Sequence, residues 1–146
     1  MQNVKIKSSL EIAKTICKYY PSIKMSGSVL LLELGVEYKD IQDIDLFCST
    51  PEAIYFIETF LRDHDYTTGG CVDKYGDIRS STCFGGDKPI HINFVRKKDE
   101  ILTTISQVIN FKFKRGFGDP VNNQKDFDHI ITVCKHLRDD SIKERT

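Results

Sequence analysis

Residues 26–47, SGSVLLLELGVEYKDIQDIDLF, contain the features around which the rest of the chain is organised. A Gly-Ser turn is followed by an apolar run that ends at Gly35, and then by two aspartates, Asp43 and Asp45. Side chains two residues apart in a strand project from the same face, so these two carboxylates are predicted to lie side by side. They repel each other unless a cation or a shared proton lies between them. The stretch therefore predicts a site for a hard divalent cation, Mg²⁺ (or Mn²⁺), with Asp43 and Asp45 as its ligands.

The Gly-Ser turn, Gly27 and Ser28, is predicted to bind phosphate groups beside that cation. Glycine allows close approach of the backbone, and N–H groups at such a turn together with a serine hydroxyl are donors that anions use. An ordinary turn whose serine caps a helix is the alternative interpretation. The two interpretations are compatible, because a capping serine also marks an anion site.

The composition is that of a soluble globular domain. Of the 146 residues, 40% are hydrophobic and 29% are charged, with 21 basic and 21 acidic residues. The zero net charge weakens the case for a general binder of nucleic acid or of membrane surfaces. We also expect no membrane partner and a cytoplasmic location, because the sequence shows neither a signal-like N-terminus nor a long apolar span.

The cysteines are odd in number, scattered, and never paired as C-x-x-C. This pattern favours buried, reduced thiols over disulfides or a zinc site. Three histidines, His64, His129 and His136, lie in charged helical contexts and are expected on the surface.

Hydrophobic periodicity, caps and turn residues predict an α+β fold, with helices packed on a small mixed β-sheet. One domain is expected over residues 1–146, with a core at about 22–96 and a C-terminal helical part at about 99–138. The predicted elements, in order, are a helix capped by Ser8, a strand at 23–25, a buried helix at 29–34, a strand at 43–48, a helix from Thr50-Pro51, antiparallel strands at 78–84 and 90–95, and two helices that end near 115 and 137.

This pattern resembles the polymerase-beta-like nucleotidyltransferase superfamily in its small, minimal form. The resemblance rests on Gly27-Ser28, the apolar run after them, and Asp43-Ile44-Asp45, and it covers about the first two-thirds of the chain in element order. It implies a nucleotidyltransferase-like fold. It also implies Mg²⁺-dependent or Mn²⁺-dependent transfer of a nucleoside monophosphate from a nucleoside triphosphate such as ATP to an unidentified acceptor, which could be RNA, protein or a small molecule.

Members of that family that are active carry a third catalytic carboxylate on a later strand. The corresponding stretch here, residues 89–95, reads PIHINFV, with Asn93 at the carboxylate position and His91 on the same face. Asn93 can ligate a metal but cannot act as a base, whereas His91 carries an imidazole, a group of the kind that accepts protons near neutral pH, and could take over this role. His91 could equally be an ordinary half-buried histidine. Alternative sources of the missing charge are Asp73, Asp77 and Asp87.

The departure at Asn93 leaves two functions open. The first is an enzyme in which Asp43, Asp45, Asn93 and His91 are catalytic. The second is a catalytically degenerate relative that acts as a binding or interaction module. The resemblance further implies that Lys112 or Lys114 approaches the triphosphate.

Overall fold

The structure, a computed structural model, describes the backbone of residues 8–74, 78–95 and 102–145, and the side chains of residues 8–68, 81–93 and 102–145. The regular elements along this part of the chain are α1 (Ser9–Tyr19), β1 (Lys24–Ser26), β2 (Ile44–Cys48), α2 (Pro51–Asp63), β3 (Thr67–Lys74), β4 (Ile78–Phe84), β5 (Ile90–Val95), α3 (Ile105–Gly118) and α4 (Gln124–Arg145). Two 3-10 helices, Gly27–Leu34 and Tyr38–Asp40, lie between β1 and β2 in the sequence.

The chain forms two compact units. The first comprises Met1–Ser26 and Gln42–Ile101 and contains the β-sheet with α1 and α2. The second comprises Gly27–Ile41 and Leu102–Thr146 and contains both 3-10 helices with α3 and α4.

The described strands form one mixed sheet in the order β1-β2-β5-β4-β3. Strand β2 runs parallel to β5, and the other neighbouring pairs are antiparallel, including the predicted pair β4 and β5. The predicted α+β class, with a small mixed sheet and helices, is therefore confirmed. The finer expectation of a nucleotidyltransferase-like fold stays a prediction.

Alternation along the strands separates a buried face of the sheet from a partly exposed one. Ile44, Leu46, Ile90 and Ile92 are at most 1% exposed, whereas Asp45 lies on the other face and is only half-buried. Helix α1 contacts β1 and β2, helix α2 contacts β2 and β3, and both contribute buried apolar residues to this core. The apolar alternation of β2 and β5 thus decides which side chains remain available for chemistry.

Both helices of the first unit begin as the sequence predicted. The Ser8 side chain accepts a hydrogen bond from the N–H of Glu11, and the Thr50 side chain accepts one from the N–H of Ala53. Pro51 occupies the first turn of α2, where its missing N–H costs nothing.

The apolar run after Gly27 is helical but is not the buried α-helix that its composition suggested. It is a 3-10 helix in which Val29 and Leu31 are buried while Leu30 and Leu32 are only partly so. A run that is apolar on every side carries no 3.6-residue period, so its pattern could not distinguish the two helix types. The helix ends at Gly35, whose φ of 91° favours glycine, as expected of a C-terminal cap.

The C-terminal helices are longer than predicted. Helix α3 continues through Gly116 to Gly118, and α4 continues to Arg145, past its expected end near residue 137. A Cβ atom at Gly116 would lie only 2.9 Å from the Phe127 ring. Glycine therefore stays inside α3 because it lets α4 pack closely.

The core of the second unit contains a buried charge network. Asp126 accepts hydrogen bonds from Lys112 at 3.3 Å and from two nitrogens of Arg115 at 2.7 and 2.6 Å. The side chains of Lys112 and Asp126 are 4% and 3% exposed. Burial lowers the pKa of Lys112, although the charge of Asp126 opposes this. Burial alone would raise the pKa of Asp126, but the hydrogen bond from Arg115 and the charge of Lys112 lower it.

His129 is buried in the same unit, and the prediction that it lies on the surface was wrong. It is 4% exposed, and neither ring nitrogen has a hydrogen-bond partner among the described residues. Burial lowers its pKa, and the charges of Lys112 and Lys125 lower it further, while Asp126 and Asp40 oppose the shift.

The thiols follow the sequence prediction only in part. Cys17, Cys48, Cys83 and Cys134 are free, which agrees with reduced cysteines, and Cys48 and Cys83 are buried. Cys134 is exposed on α4, contrary to expectation, while the side chain of Cys71 lies outside the described residues. Within the described ranges, no helix has the length and apolar character needed to cross a membrane.

The Asp126→Asn variant should lower the free energy of unfolding by about 3–5 kcal/mol, because it leaves Lys112 as a buried charge without its carboxylate. Urea unfolding followed by circular dichroism at pH 7 measures this. The matched control is Asp128→Asn on the exposed side of α4, which should change stability by less than about 0.5 kcal/mol. Equal, small losses in both variants would contradict a structural role for the buried network.

The protein should also lose stability as the pH falls below about 6.5, the ordinary pKa of histidine. The unfolded chain then binds a proton at residue 129, while folded His129 has a lowered pKa and stays neutral, so protonation favours unfolding. The slope from this group is at most about 1.4 kcal/mol per pH unit. Urea unfolding at pH 7.5 and 5.5 should show a smaller difference for His129→Phe than for wild type. An unchanged difference would mean that another group causes the pH dependence.

Candidate metal centre

Three side chains that can ligate a metal come together on the partly exposed face of the sheet. Asp43 directly precedes β2, Asp45 is the second residue of β2, and His91 is the second residue of β5. Because β2 and β5 are paired in parallel, with Asp45 opposite His91, the two strands present these side chains together. Alternation along one strand supplies the carboxylate pair, and strand pairing adds the imidazole.

The geometry of the cluster is compact. One ligand atom from each of Asp43, Asp45 and His91 lies within 4.8 Å of the other two. The His91 Nδ1 atom lies 3.4 Å from Asp45 Oδ1. These side chains are 32% and 25% exposed, so solvent or a ligand can reach them while the sheet restricts their movement. The donor set of two carboxylates and one imidazole suits a divalent metal ion.

A row of polar residues crosses the sheet through the cluster, and sequence analysis missed two of its members. Ser26 of β1 lies opposite Asp45, and Thr82 of β4 lies opposite His91. Ser26 is buried at 6% exposure, while Thr82 is partly exposed. Neither residue belongs to a recognisable motif, and only the strand register shows that they flank the carboxylate and the imidazole.

Asn93, the expected third ligand, lies two residues beyond His91 on β5. Its partner in the register is Phe47, whereas His91 is the residue opposite Asp45. The Asn93 backbone carbonyl accepts a hydrogen bond from Cys48 Sγ at 3.6 Å. The catalytic role expected of the Asn93 side chain stays a prediction, and the register favours His91 as the nearer partner of Asp45.

Asp87, another carboxylate that the sequence offered, does not belong to the cluster found among the described side chains. Asp87 Oδ1 accepts a hydrogen bond of 2.8 Å from the backbone N–H of Ser9, at the first turn of α1. Asp87 therefore helps to fix the start of that helix. The side chains of Asp73 and Asp77 lie outside the described residues.

Cys48, on the same strand as Asp45, is not a candidate ligand. Burial raises the pKa of its thiol to about 12, and the charge of Glu58 adds to this effect. A thiol with this pKa is protonated at neutral pH, whereas metals bind the thiolate. Its side chain also projects from the apolar face of the sheet, together with Leu46.

The residues predicted to bind the triphosphate all belong to the second unit. The N–H of Gly27, whose φ is 75°, donates a hydrogen bond to the Leu102 carbonyl at 3.1 Å, so this donor is already used. Ser28 is partly exposed at the start of the 3-10 helix. Lys112 is buried against Asp126, whereas Lys114 is exposed on the same helix. Their role in nucleotide binding stays a prediction, for which Ser28 and Lys114 are the more accessible members.

Addition of a divalent cation should raise the melting temperature of the wild-type protein but not that of Asp43→Asn. At a concentration about 100 times the dissociation constant, the gain in stability is about 2.7 kcal/mol. In EDTA, Asp43→Asn should melt at the same temperature as the wild type or at a higher one, because the variant lacks the repulsion between the two carboxylates. Scanning calorimetry with EDTA or with Mn²⁺ measures both effects.

The matched control for this experiment is Asp63→Asn, which removes an exposed carboxylate from the end of α2 in the same unit. It should respond to Mn²⁺ as the wild type does. A cation response that survives in Asp43→Asn would place the binding site elsewhere.

Comparisons of this chain with protein-family models, with curated proteins and with solved structures found no match. The geometry of Asp43, Asp45 and His91 is therefore the observation from which a function can be inferred. That geometry gives a candidate site for a divalent metal ion, and the preferred ion depends on the chemistry of the three ligands.

Proposed function

We propose that this protein is a metal-dependent nucleotidyltransferase, which moves a nucleoside monophosphate from a nucleoside triphosphate such as ATP to an acceptor. The observation that carries the proposal is the convergence of Asp43, Asp45 and His91 on a partly exposed sheet face. The order of a Gly-Ser turn, an apolar helical run and the Asp-Ile-Asp strand, on which the family resemblance rests, adds support.

The chemistry requires concentrated positive charge at the transferring phosphorus. Bound Mg²⁺ or Mn²⁺ would neutralise the charge that develops on the attacking and leaving oxygens during in-line displacement. Asp43 and Asp45 are suited to hold such an ion, because carboxylate oxygens are its preferred ligands and a substrate phosphate can complete the coordination. Asp45 lies in β2 and Asp43 directly precedes that strand, so the two carboxylates are close together on one face of the sheet.

His91 and Asn93 would take different parts in the reaction. His91 has its Nδ1 atom 3.4 Å from Asp45, so it can ligate the ion or accept the proton of an attacking hydroxyl. Asn93 follows on the same face, where its amide can ligate a metal or form hydrogen bonds but cannot act as a base. The family resemblance alone supports a role for Gly27, Ser28, Lys112 and Lys114 in binding the triphosphate, and Ser28 and Lys114 are the more accessible of the four.

A binding module without catalytic activity is the second candidate, and one observation favours it. Neither His91 nor Asn93 supplies the third carboxylate that the family resemblance led us to expect on this strand. Two carboxylates and an imidazole could still bind a metal–nucleotide complex. Such a protein would recognise its ligand without transferring the nucleotide.

The proposed activity is tested by incubating the protein with α-labelled nucleoside triphosphates, Mg²⁺ or Mn²⁺, and fractionated RNA, protein and small molecules from a cell extract. Label should appear in one acceptor class. Asp43→Ala should reduce the transfer by more than about 100-fold. Loss of a residue that only supports a metal ligand costs about 10–100-fold in activity, and loss of the ligand itself should cost more. Asn93→Asp should retain or raise the activity, because it adds a third carboxylate on the same face.

Asp63→Asn is again the control, and it should transfer label at the wild-type rate. If no acceptor takes label but the triphosphate with metal raises the melting temperature, the binding module is the correct function. If neither effect occurs, both candidate functions are wrong.

A further inference from the structure

The third group of the metal cluster differs in kind from the first two. Asp43 and Asp45 offer carboxylate oxygens, which suit Mg²⁺, Ca²⁺ and Mn²⁺ alike. His91 offers an imidazole nitrogen, and Mg²⁺ rarely accepts nitrogen because it is small, hard and retains its water ligands. The position directly opposite Asp45 therefore bears on which ion the site prefers.

The separation of His91 Nδ1 from Asp45 Oδ1 fits two ligands of a single ion. Two atoms each about 2.1 Å from a metal are about 3.0 Å apart at a right angle and about 3.4 Å apart at the tetrahedral angle. The distance of 3.4 Å between these atoms lies at the upper end of that range. A ligand atom of Asp43 lies within 4.8 Å of a ligand atom of Asp45 and of His91, so Asp43 is available as the third ligand of the same ion.

The backbone makes this arrangement hard to avoid. Asp45 and His91 are opposite each other in a parallel ladder, and their neighbours Ile44, Leu46, Ile90 and Ile92 are buried on the other face. A shift by one residue would bury both polar groups and expose the apolar ones. His91 is thus held at the carboxylate by the packing of the core and does not depend on a flexible loop.

We infer that the site prefers a first-row transition-metal dication to Mg²⁺, and that His91 is the nitrogen ligand that causes this preference. Mn²⁺ is the weakest-binding member of that class of ions. The inference rests on the proposed function in one respect, namely that Asp43 and Asp45 bind a cation. It adds that the choice of ion is made by a residue of β5. Imidazole nitrogen binds first-row transition metals well, and carboxylates hold them in the same site.

The test measures the dissociation constants of Mn²⁺ and Mg²⁺ for wild type and for His91→Asp, by the electron paramagnetic resonance signal of free Mn²⁺ and its competition with Mg²⁺. Wild type should bind Mn²⁺ more than about tenfold tighter than Mg²⁺. His91→Asp replaces nitrogen by a third carboxylate, so the ratio of the two constants should fall by about tenfold or more. The change in the ratio between wild type and His91→Asp shows whether His91 causes the preference. The wild-type ratio alone does not, because carboxylates by themselves can also favour Mn²⁺.

A second readout reports the ligand itself. Pulsed electron paramagnetic resonance of bound Mn²⁺ should show modulation from a coordinated ¹⁴N nucleus in wild type and none in His91→Asp. His64→Asn is the matched control, because His64 is an exposed histidine of the same unit, and it should retain both the ratio and the nitrogen signal.

The outcomes separate this inference from the proposed function. An unchanged ratio in His91→Asp, or bound Mn²⁺ without a nitrogen signal, overturns the role of His91 while Asp43 and Asp45 remain a metal site. Binding of neither ion to any variant overturns the inference and the metal dependence of the proposed function together. Nucleotide transfer with Mg²⁺ at full rate and equal affinity for the two ions overturns the inference alone.

Discussion

The parallel pairing of β2 with β5 is the constraint on which the candidate site depends. Parallel neighbours cannot be joined by a tight turn, so the chain passes through α2, β3 and β4 before β5 returns beside β2. The return places His91 opposite Asp45 and leaves Asn93 opposite Phe47. The chemical character of the cluster, with two carboxylates and one imidazole, is a consequence of that register.

The stability of the first unit and the geometry of its site have the same origin. The pairs Ile44 with Ile90 and Leu46 with Ile92 are buried on one face, and they fix the register from which the other face is built. A loss of packing in this core would therefore disturb the candidate metal ligands even if none of them were substituted. The second unit is stabilised in a different way, because its helices enclose a charge network in which Asp126 compensates the buried charge of Lys112.

Sequence reasoning worked where neighbouring residues decide the outcome. The caps of α1 and α2, the antiparallel pair β4 and β5, and the shared face of Asp43 and Asp45 follow from short-range patterns. It did not work for His129, because charged neighbours on one helix do not show what the facing helix covers. The same limitation applies to the 3-10 helix after Gly27, where an apolar run without a period hides the helix type.

By itself, the sequence determined the α+β class, the acidic pair and its common face, because alternation in a strand is a local property of the backbone. Only the tertiary structure decided which residue stands beside that pair, because register between distant strands is set by the packing of the whole core. It brought Ser26, His91 and Thr82 into one row with Asp45. The pair of carboxylates is thus a feature of a short segment, and the nitrogen beside it is a feature of the fold.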